Sequence, residues 1–248
     1  MPAALSALAA LLAATLLAAP APAQPLQRSI NIDLTRDQVS LTSGFSGTEV
    51  MLYGAVDQKS DIVAYVSSAE PGPQTVIHKD RVFGIWVNRG SATFTSVPVL
   101  HTVVSTRPLS DIASEQVWLH NRVSFAGLDI EPNDPALASY REGLIAAKIR
   151  QGLYAIDEGG VVYADGRLFR ASLHFPATLP PGRYTVTVLQ LREGRIIDAA
   201  VRPLIVNKVG LGALISKLAH DNGLLYGLFA VFVAATAGLV AGYAFRRH

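Results

Sequence analysis

The 248 residues carry 21 Lys and Arg against 19 Asp and Glu, and no Cys. The absence of Cys excludes disulfides, thiolate metal sites and a cysteine nucleophile. A pI of about 8.9 invites a nucleic-acid partner, but the two excess cations are Arg246 and Arg247. Residues 24–222 hold 19 charges of each sign, so no basic stripe exists to neutralise phosphates.

Residues 1–23 have the pattern of a secretory signal peptide. An Ala/Leu-rich run from Ala3 to Ala19 precedes Ala21-Pro22-Ala23, a small-x-small cleavage pattern. No Lys or Arg precedes that run, which leaves an uncleaved N-terminal anchor as the alternative.

From Ser29 to about Thr106 the pattern is one of short strands. Val50, Leu52 and Val56 alternate with Glu49, Met51 and Tyr53, the period-2 signature of a half-buried strand. Ile62, Ala64 and Val66 then share one face, and Ala69-Glu70-Pro71-Gly72-Pro73 forms a turn. Further strands are expected at about 74–78, 82–88, 92–95 and 97–105. Phe83-Gly84-Ile85-Trp86-Val87 is apolar on both faces, which predicts a central strand with Trp86 in the core. Strands separated by frequent turns predict an immunoglobulin-like β-sandwich over 24–108.

Composition shifts at Arg107-Pro108. Leu109, Ile112 and Leu119 predict a helix over 109–119. A second helix starts with Asp134 as N-cap and Pro135 at the first position, with Leu137, Tyr140, Leu144 and Ala147 on one face. Lys148 and Arg150 suit its last turn and Gly152 its C-terminal stop. Arg141 and Lys148 would stand on a solvated face, or form a small cationic patch. Strands return with Asp165-Gly166 as a hairpin turn. Phe169, Ala171, Leu173 and Phe175 point inward, and Arg170, Ser172 and His174 outward. Leu179-Pro180-Pro181-Gly182 leads into a strand with Tyr184, Val186 and Val188 inward, and Pro203 marks the last strand as an edge. Residues 109–208 thus read as a helical segment with a second, smaller β-rich unit. The pattern leaves open whether the two β-rich units form one domain or two.

Leu211, Leu214, Ile215 and Leu218 make an amphipathic stripe within the juxtamembrane segment 209–222. Gly223 to Phe245 follows, 23 residues without a formal charge. At about 1.5 Å per residue such a helix reaches roughly 34 Å, enough to cross a hydrocarbon core of about 30 Å. Tyr226 and Tyr243 sit near its ends. Arg246 and Arg247 open the tail 246–248, and the positive-inside rule puts them in the cytoplasm with residues 24–222 exported. Ala230, Ala234, Gly238 and Gly242 are spaced by four and include a G-x-x-x-G, the small-residue pattern that lets helices pack closely in lipid. Phe229, Phe232, Val233 and Leu239 suit acyl chains.

Little of this composition suggests chemistry. The six His, at 78, 101, 120, 174, 220 and 248, lack the spacing of converging zinc ligands. Gly44-Phe45-Ser46-Gly47 lacks the spacing of a nucleophile elbow, and neither a phosphate loop nor a dinucleotide fingerprint occurs. Asp157-Glu158-Gly159-Gly160 brings two carboxylates together in what reads as a turn. Met51 alone is too few for a Met-rich copper carrier. No enzymatic activity, cofactor or metal is expected.

Three stretches carry a family resemblance: Gly47-Thr48-Glu49-Val50-Met51-Leu52-Tyr53-Gly54-Ala55, Lys79 to Asn88, and Phe94 to Pro98. With the ending from Leu224 to Arg247, they make the chain resemble an uncharacterised alphaproteobacterial transmembrane protein family. That resemblance implies one C-terminal spanning helix and an exported domain, and brings no catalytic residues. It also implies an accessory role, through an association of the family with the genomic surroundings of sulfite-exporter-type permeases. The expected function is a non-enzymatic accessory or assembly module, periplasm-facing and anchored in the inner membrane. Its expected partners are the lipid bilayer and a membrane protein, or a second copy met through the helix. The alternative is a tethered binding protein that presents a small solute, such as an anion, to a permease.

Overall fold

The computed structural model describes residues 29–210, 219–220 and 222–245. The signal segment 1–23, the stripe from Leu211 to Leu218, and Arg246 and Arg247 lie outside the described residues. In chain order the strands of the first half are β1 (Ile30–Leu34), β2 (Gln38–Leu41), β3 (Gly47–Val56), β4 (Asp61–Ser68), β5 (Gly72–Val82), β6 (Ile85–Val97) and β7 (His101–Ser105). Helices α1 (Leu109–Ile112) and α2 (Glu115–His120), the two-residue β8 (Glu131–Pro132) and α3 (Tyr140–Arg150) follow. The second half adds β9 (Tyr154–Glu158), β10 (Val161–Asp165), β11 (Leu168–Pro176), β12 (Gly182–Arg192), β13 (Arg195–Lys208) and helix α4 (Gly223–Phe245).

Two sheets make a sandwich. One has the order β1-β3-β11-β10 and the other β2-β13-β12-β4-β7-β9. The two β-rich stretches expected in succession, 24–108 and 109–208, are therefore interleaved. β3 pairs antiparallel with β11, and β4 with β12. One buried cluster spans both sheets, with Ile30, Leu52, Phe169 and Leu173 on one side and Ala64, Val66, Val186, Val188 and Leu204 on the other. The alternation expected for β11 holds, since Phe169, Ala171, Leu173 and Phe175 are buried while Arg170 and His174 face water. Tyr184 is buried and its hydroxyl donates to the Pro180 carbonyl at 2.8 Å, which ties the start of β12 to the preceding turn. Burial pushes that hydroxyl up to about 12.

The six-stranded sheet is covered on its second face too. Val63, Val103, Leu189 and Leu191 meet Leu109, Ile112, Trp118 and Val123 from α1, α2 and the loop after α2. The helix expected over 109–119 is thus two short helices broken at Ala113-Ser114, because its residues must follow the sheet surface. Trp118 Nε1 donates to the Leu109 carbonyl at 3.1 Å and closes the pair. Glu158, expected in a turn, ends β9 and accepts from the Leu109 amide at 3.2 Å, capping α1.

Three further readings are corrected. Phe83–Val87 is the end of a hairpin: β5 and β6 pair antiparallel with Val82 opposite Ile85, and Phe83 and Gly84 form the turn. Phe83, Ile85 and Val87 are exposed, and the side chain of Trp86 lies outside the described residues. Asp134 does cap Pro135–Leu137 by accepting from the Ala136 amide, but that turn is a 3-10 helix and α3 begins afresh at Tyr140. The Arg141–Lys148 patch does not form either. Lys148 is buried, and Arg141 donates to the carbonyls of Phe125, Ala126 and Leu128, so it braces the loop before β8. Pro203 meets its expected edge position, since β2 covers β13 only at residues 205–208.

Gly54 sits directly across from Phe169, and a Cβ there would enter the Phe169 ring. Gly143 in α3 has open space around it. The same substitution therefore has opposite signs at the two sites. Gly54→Ala should cost about 1–3 kcal/mol by overpacking, while Gly143→Ala should add about 0.5–1 kcal/mol of helix stability. Urea midpoints of the detergent-solubilised chain check both; an equal response would mean that Phe169 can move aside.

Candidate functional site

Two regions stand out. The first is α4, whose 23 residues are apolar on every side. Its window Tyr226–Tyr243 has a mean hydropathy of 1.7 and none of it is buried. An apolar helix left uncovered by its own protein needs an apolar solvent. Ala230, Ala234, Gly238 and Gly242 fall on one face at the spacing expected, and a Cβ at Gly238 or Gly242 would meet nothing within 4 Å. The one hydroxyl in the middle, Thr236, is satisfied within the helix by the carbonyls of Phe232 and Val233 at 3.0 and 2.9 Å. The structure brings the small residues together and leaves the second topology element, Arg246 and Arg247, undescribed.

The second region was not singled out by the sequence. A cavity of about 380 Å³ opens at the end of the sandwich, between β4, the exit of β6, β7 and the loop after α2. Ser67, Ser68, Ser96 and Arg122 supply polar atoms to its wall, and Tyr65 and Leu128 supply apolar surface. Arg122 is ion-paired with Asp129 at the rim. Ser96 and Arg122 have positive φ values of 56° and 55°. The other two non-glycine residues in that region, Phe83 and Glu193, serve hairpin turns, so backbone strain outside the hairpins is confined to this cavity wall among the described residues. Such strain persists only where surrounding structure enforces it, often at binding sites.

His101 forms the floor of this cavity and is fully buried. Its ring lies among Tyr65, Phe125 and Tyr154, with centroids 5.8, 6.0 and 6.1 Å away. Nε2 lies 2.8 Å from the Val123 carbonyl. A carbonyl only accepts, so the neutral ring carries its proton on Nε2 and donates it there. Nδ1 is buried without a partner. Burial outweighs the hydrogen bond and holds the ring below its ordinary range. Histidine spacing gave no hint of this, because the ring's partners come from β4, β9 and the loop after α2. Of the other histidines, His174 is exposed beside Glu49. Among the described residues no group of three or more His, Asp or Glu side chains could hold a metal ion.

These features define a class: a β-sandwich protein carrying one apolar C-terminal helix of membrane-spanning length. The family model described as "Putative transmembrane protein (Alph_Pro_TM)" matches residues 29–247, and the chain belongs to this family. No curated protein matches it. Among solved structures it is similar to Spo0M, a sporulation control protein of Bacillus subtilis, at 12% identity and a TM-score of 0.28. That match covers 78% of this chain and 54% of the other, so the chain spans about half the length of Spo0M. Domain 1 of VCBP3 from Branchiostoma floridae is similar at 11% identity and a TM-score of 0.27, over 74% and 98% of the two chains. Likenesses this slight carry no argument about architecture or role.

The neutral buried state of His101 gives stability a pH dependence. Its native affinity for a proton is depressed, while the unfolded chain takes one near the ordinary 6.5. The unfolded state binds more protons below that value, so stability is full above about pH 6.5 and is lost as pH falls. His101→Gln keeps a donor for Val123 and cannot titrate. Thermal unfolding between pH 7.5 and 5 should fall steeply for the natural chain and more shallowly for the variant; equal slopes would show that His101 is not the acid-sensitive group.

Proposed function

We propose that this protein is a non-enzymatic accessory or assembly module of an inner-membrane complex, with its sandwich in the periplasm and its C-terminus in the cytoplasm. The observation that carries this reading is the state of α4: a spanning helix whose small-residue face, Ala230, Ala234, Gly238 and Gly242, is open from end to end. Apolar burial cannot drive helices together in lipid, and close backbone approach can. The bulky Phe229, Phe232 and Leu239 face acyl chains, and the small face receives a helix of a membrane protein or of a second copy. Replacing Gly238→Leu and Gly242→Leu keeps the helix apolar and blocks that approach. Co-purification in mild detergent should yield a stoichiometric membrane partner, or a self-crosslinked dimer, from the natural chain. The double variant should lose it while staying in the membrane; unchanged association would reduce α4 to a tether.

The cavity above His101 favours a second reading, a tethered binding module for a small polar solute. Its volume falls within the range of ligand pockets, and its wall offers three serine hydroxyls with the Arg122 guanidinium at the rim. A small molecule that co-elutes with the purified chain, in place of a protein partner, would favour this reading over the first.

Both readings share the periplasmic orientation, which has its own test. Alkaline phosphatase fused after Asn207 should be active and a fusion after His248 inactive, because only an exported fusion folds. The reverse pattern would overturn the periplasmic placement.

A further inference from the structure

The β5–β6 hairpin ends in a surface that the isolated chain has no use for. Phe83 and Gly84 both have positive φ, 49° and 85°, as a two-residue turn between right-twisted strands requires. Glycine takes that conformation freely; a bulky aromatic does so at a cost. Phe83 is also fully exposed, and Ile85 and Val87 behind it are 69% and 44% exposed. The base of the same hairpin is ordinary core, with Ala92, Phe94 and Val97 buried. Midway along β5, Ile77 is also 49% exposed, and the other large exposed apolar side chains of the hairpin cluster at its tip.

The strand registers fix where this tip starts from. Ser68, the last residue of β4, pairs with Tyr184, and Leu204 pairs with Tyr184 on its other side. Gly182 pairs with Val206 two positions beyond. The chain therefore leaves β4 towards the hairpin at the same end of the sandwich at which β13 leaves it towards α4. The eleven residues of β5 span roughly 36 Å at about 3.3 Å each. Residues 209–222, between β13 and α4, reach at most about 50 Å fully extended. The tether is therefore long enough for the hairpin tip and α4 to meet one bilayer surface. The charges agree: Lys79, Arg81 and Arg89 against Asp80 leave a formal +2 on the strands behind the apolar turn, and Arg81 is exposed with its Nε bonded to the Gly84 carbonyl.

We propose that the tip Phe83–Val87 inserts into the surface of the bilayer that holds α4, with Arg81 of β5 against anionic headgroups. Apolar side chains at the headgroup boundary and basic residues just behind them make a paired contact of this kind. The sandwich is then held to the membrane at two points and has a fixed tilt. The inference rests on anchoring by α4 and not on the identity of any protein partner.

The chain has no Cys, so single labels are clean. The full-length Phe83→Cys and Gln58→Cys variants carry an environment-sensitive fluorophore and are reconstituted into vesicles of phosphatidylcholine and phosphatidylglycerol. Gln58 lies in the β3–β4 turn at the opposite end of the sandwich. Spin-labelled lipid should quench the label at 83 several-fold more than that at 58, and aqueous iodide should quench it several-fold less. Adding Arg81→Glu to the Phe83→Cys chain should weaken the lipid quenching. Equal iodide access at 83 and 58 would overturn the proposal. Protection from iodide without lipid quenching would overturn it too, and would assign the tip to a protein surface instead.

Discussion

The ladder between β4 and β12 is the constraint on which the remaining structure depends. It runs for eight register positions, from Tyr184 opposite Ser68 to Leu191 opposite Asp61. It joins two strands far apart in sequence at the middle of the larger sheet. Its inward residues, Ala64, Val66, Val186 and Val188, belong to the main core, and its outward Val63, Leu189 and Leu191 are the floor on which α1 and α2 sit. A strand buried on both faces must satisfy its whole backbone within the sheet. β12 and β7 flank β4 and do so. The cavity, the root of the hairpin and the exit to α4 all lie at the Ser68 end of this ladder.

His101 shows how the two faces communicate. It begins β7, next to β4, and its ring hydrogen-bonds across to Val123, a residue of the outer cluster. Its aromatic neighbour Tyr154 belongs to the inner core and donates its hydroxyl to the Pro98 carbonyl at 2.9 Å. A single buried ring thus couples the cavity floor, both hydrophobic clusters and the loop that carries Arg122. The cost is one unpartnered nitrogen in a site of low polarity.

What the sequence disclosed followed from how complete each local signal was. Helix α4 was fully legible, because length and uniform apolarity are the entire physical requirement for crossing lipid. The alternation from Phe169 to Phe175 was legible for the same reason: one covered face and one wet face write themselves into every second residue. Partners are not written that way, so nothing local said that β3 would choose β11 or β4 would choose β12. Phe83–Val87 misled because an apolar run has the same pattern whether a second sheet covers it or nothing in the chain does. His101-Thr102-Val103-Val104-Ser105 falls within the strand expected over 97–105, and its burial throughout, despite three polar residues, was not written in its pattern. The cavity was invisible because its strained Ser96 and Arg122 meet only when four separate segments come together.

Interleaving also sets a timetable. Glu49 and Ser172, 123 positions apart, are hydrogen-bonded neighbours across β3 and β11, so most of the chain must be present before either sheet can close. Contacts of such long sequence separation make folding slow, since loop-closure entropy is lost before the contacts compensate it. The strand that completes the larger sheet, β13, ends at Lys208, and the anchor begins at Gly223. The sandwich therefore reaches its native state only at about the moment its own helix becomes available to the membrane. Until then β1 can pair with β3, β4 with β7 and β5 with β6, but the sides of β2, β3 and β4 that later receive β13, β11 and β12 stay open.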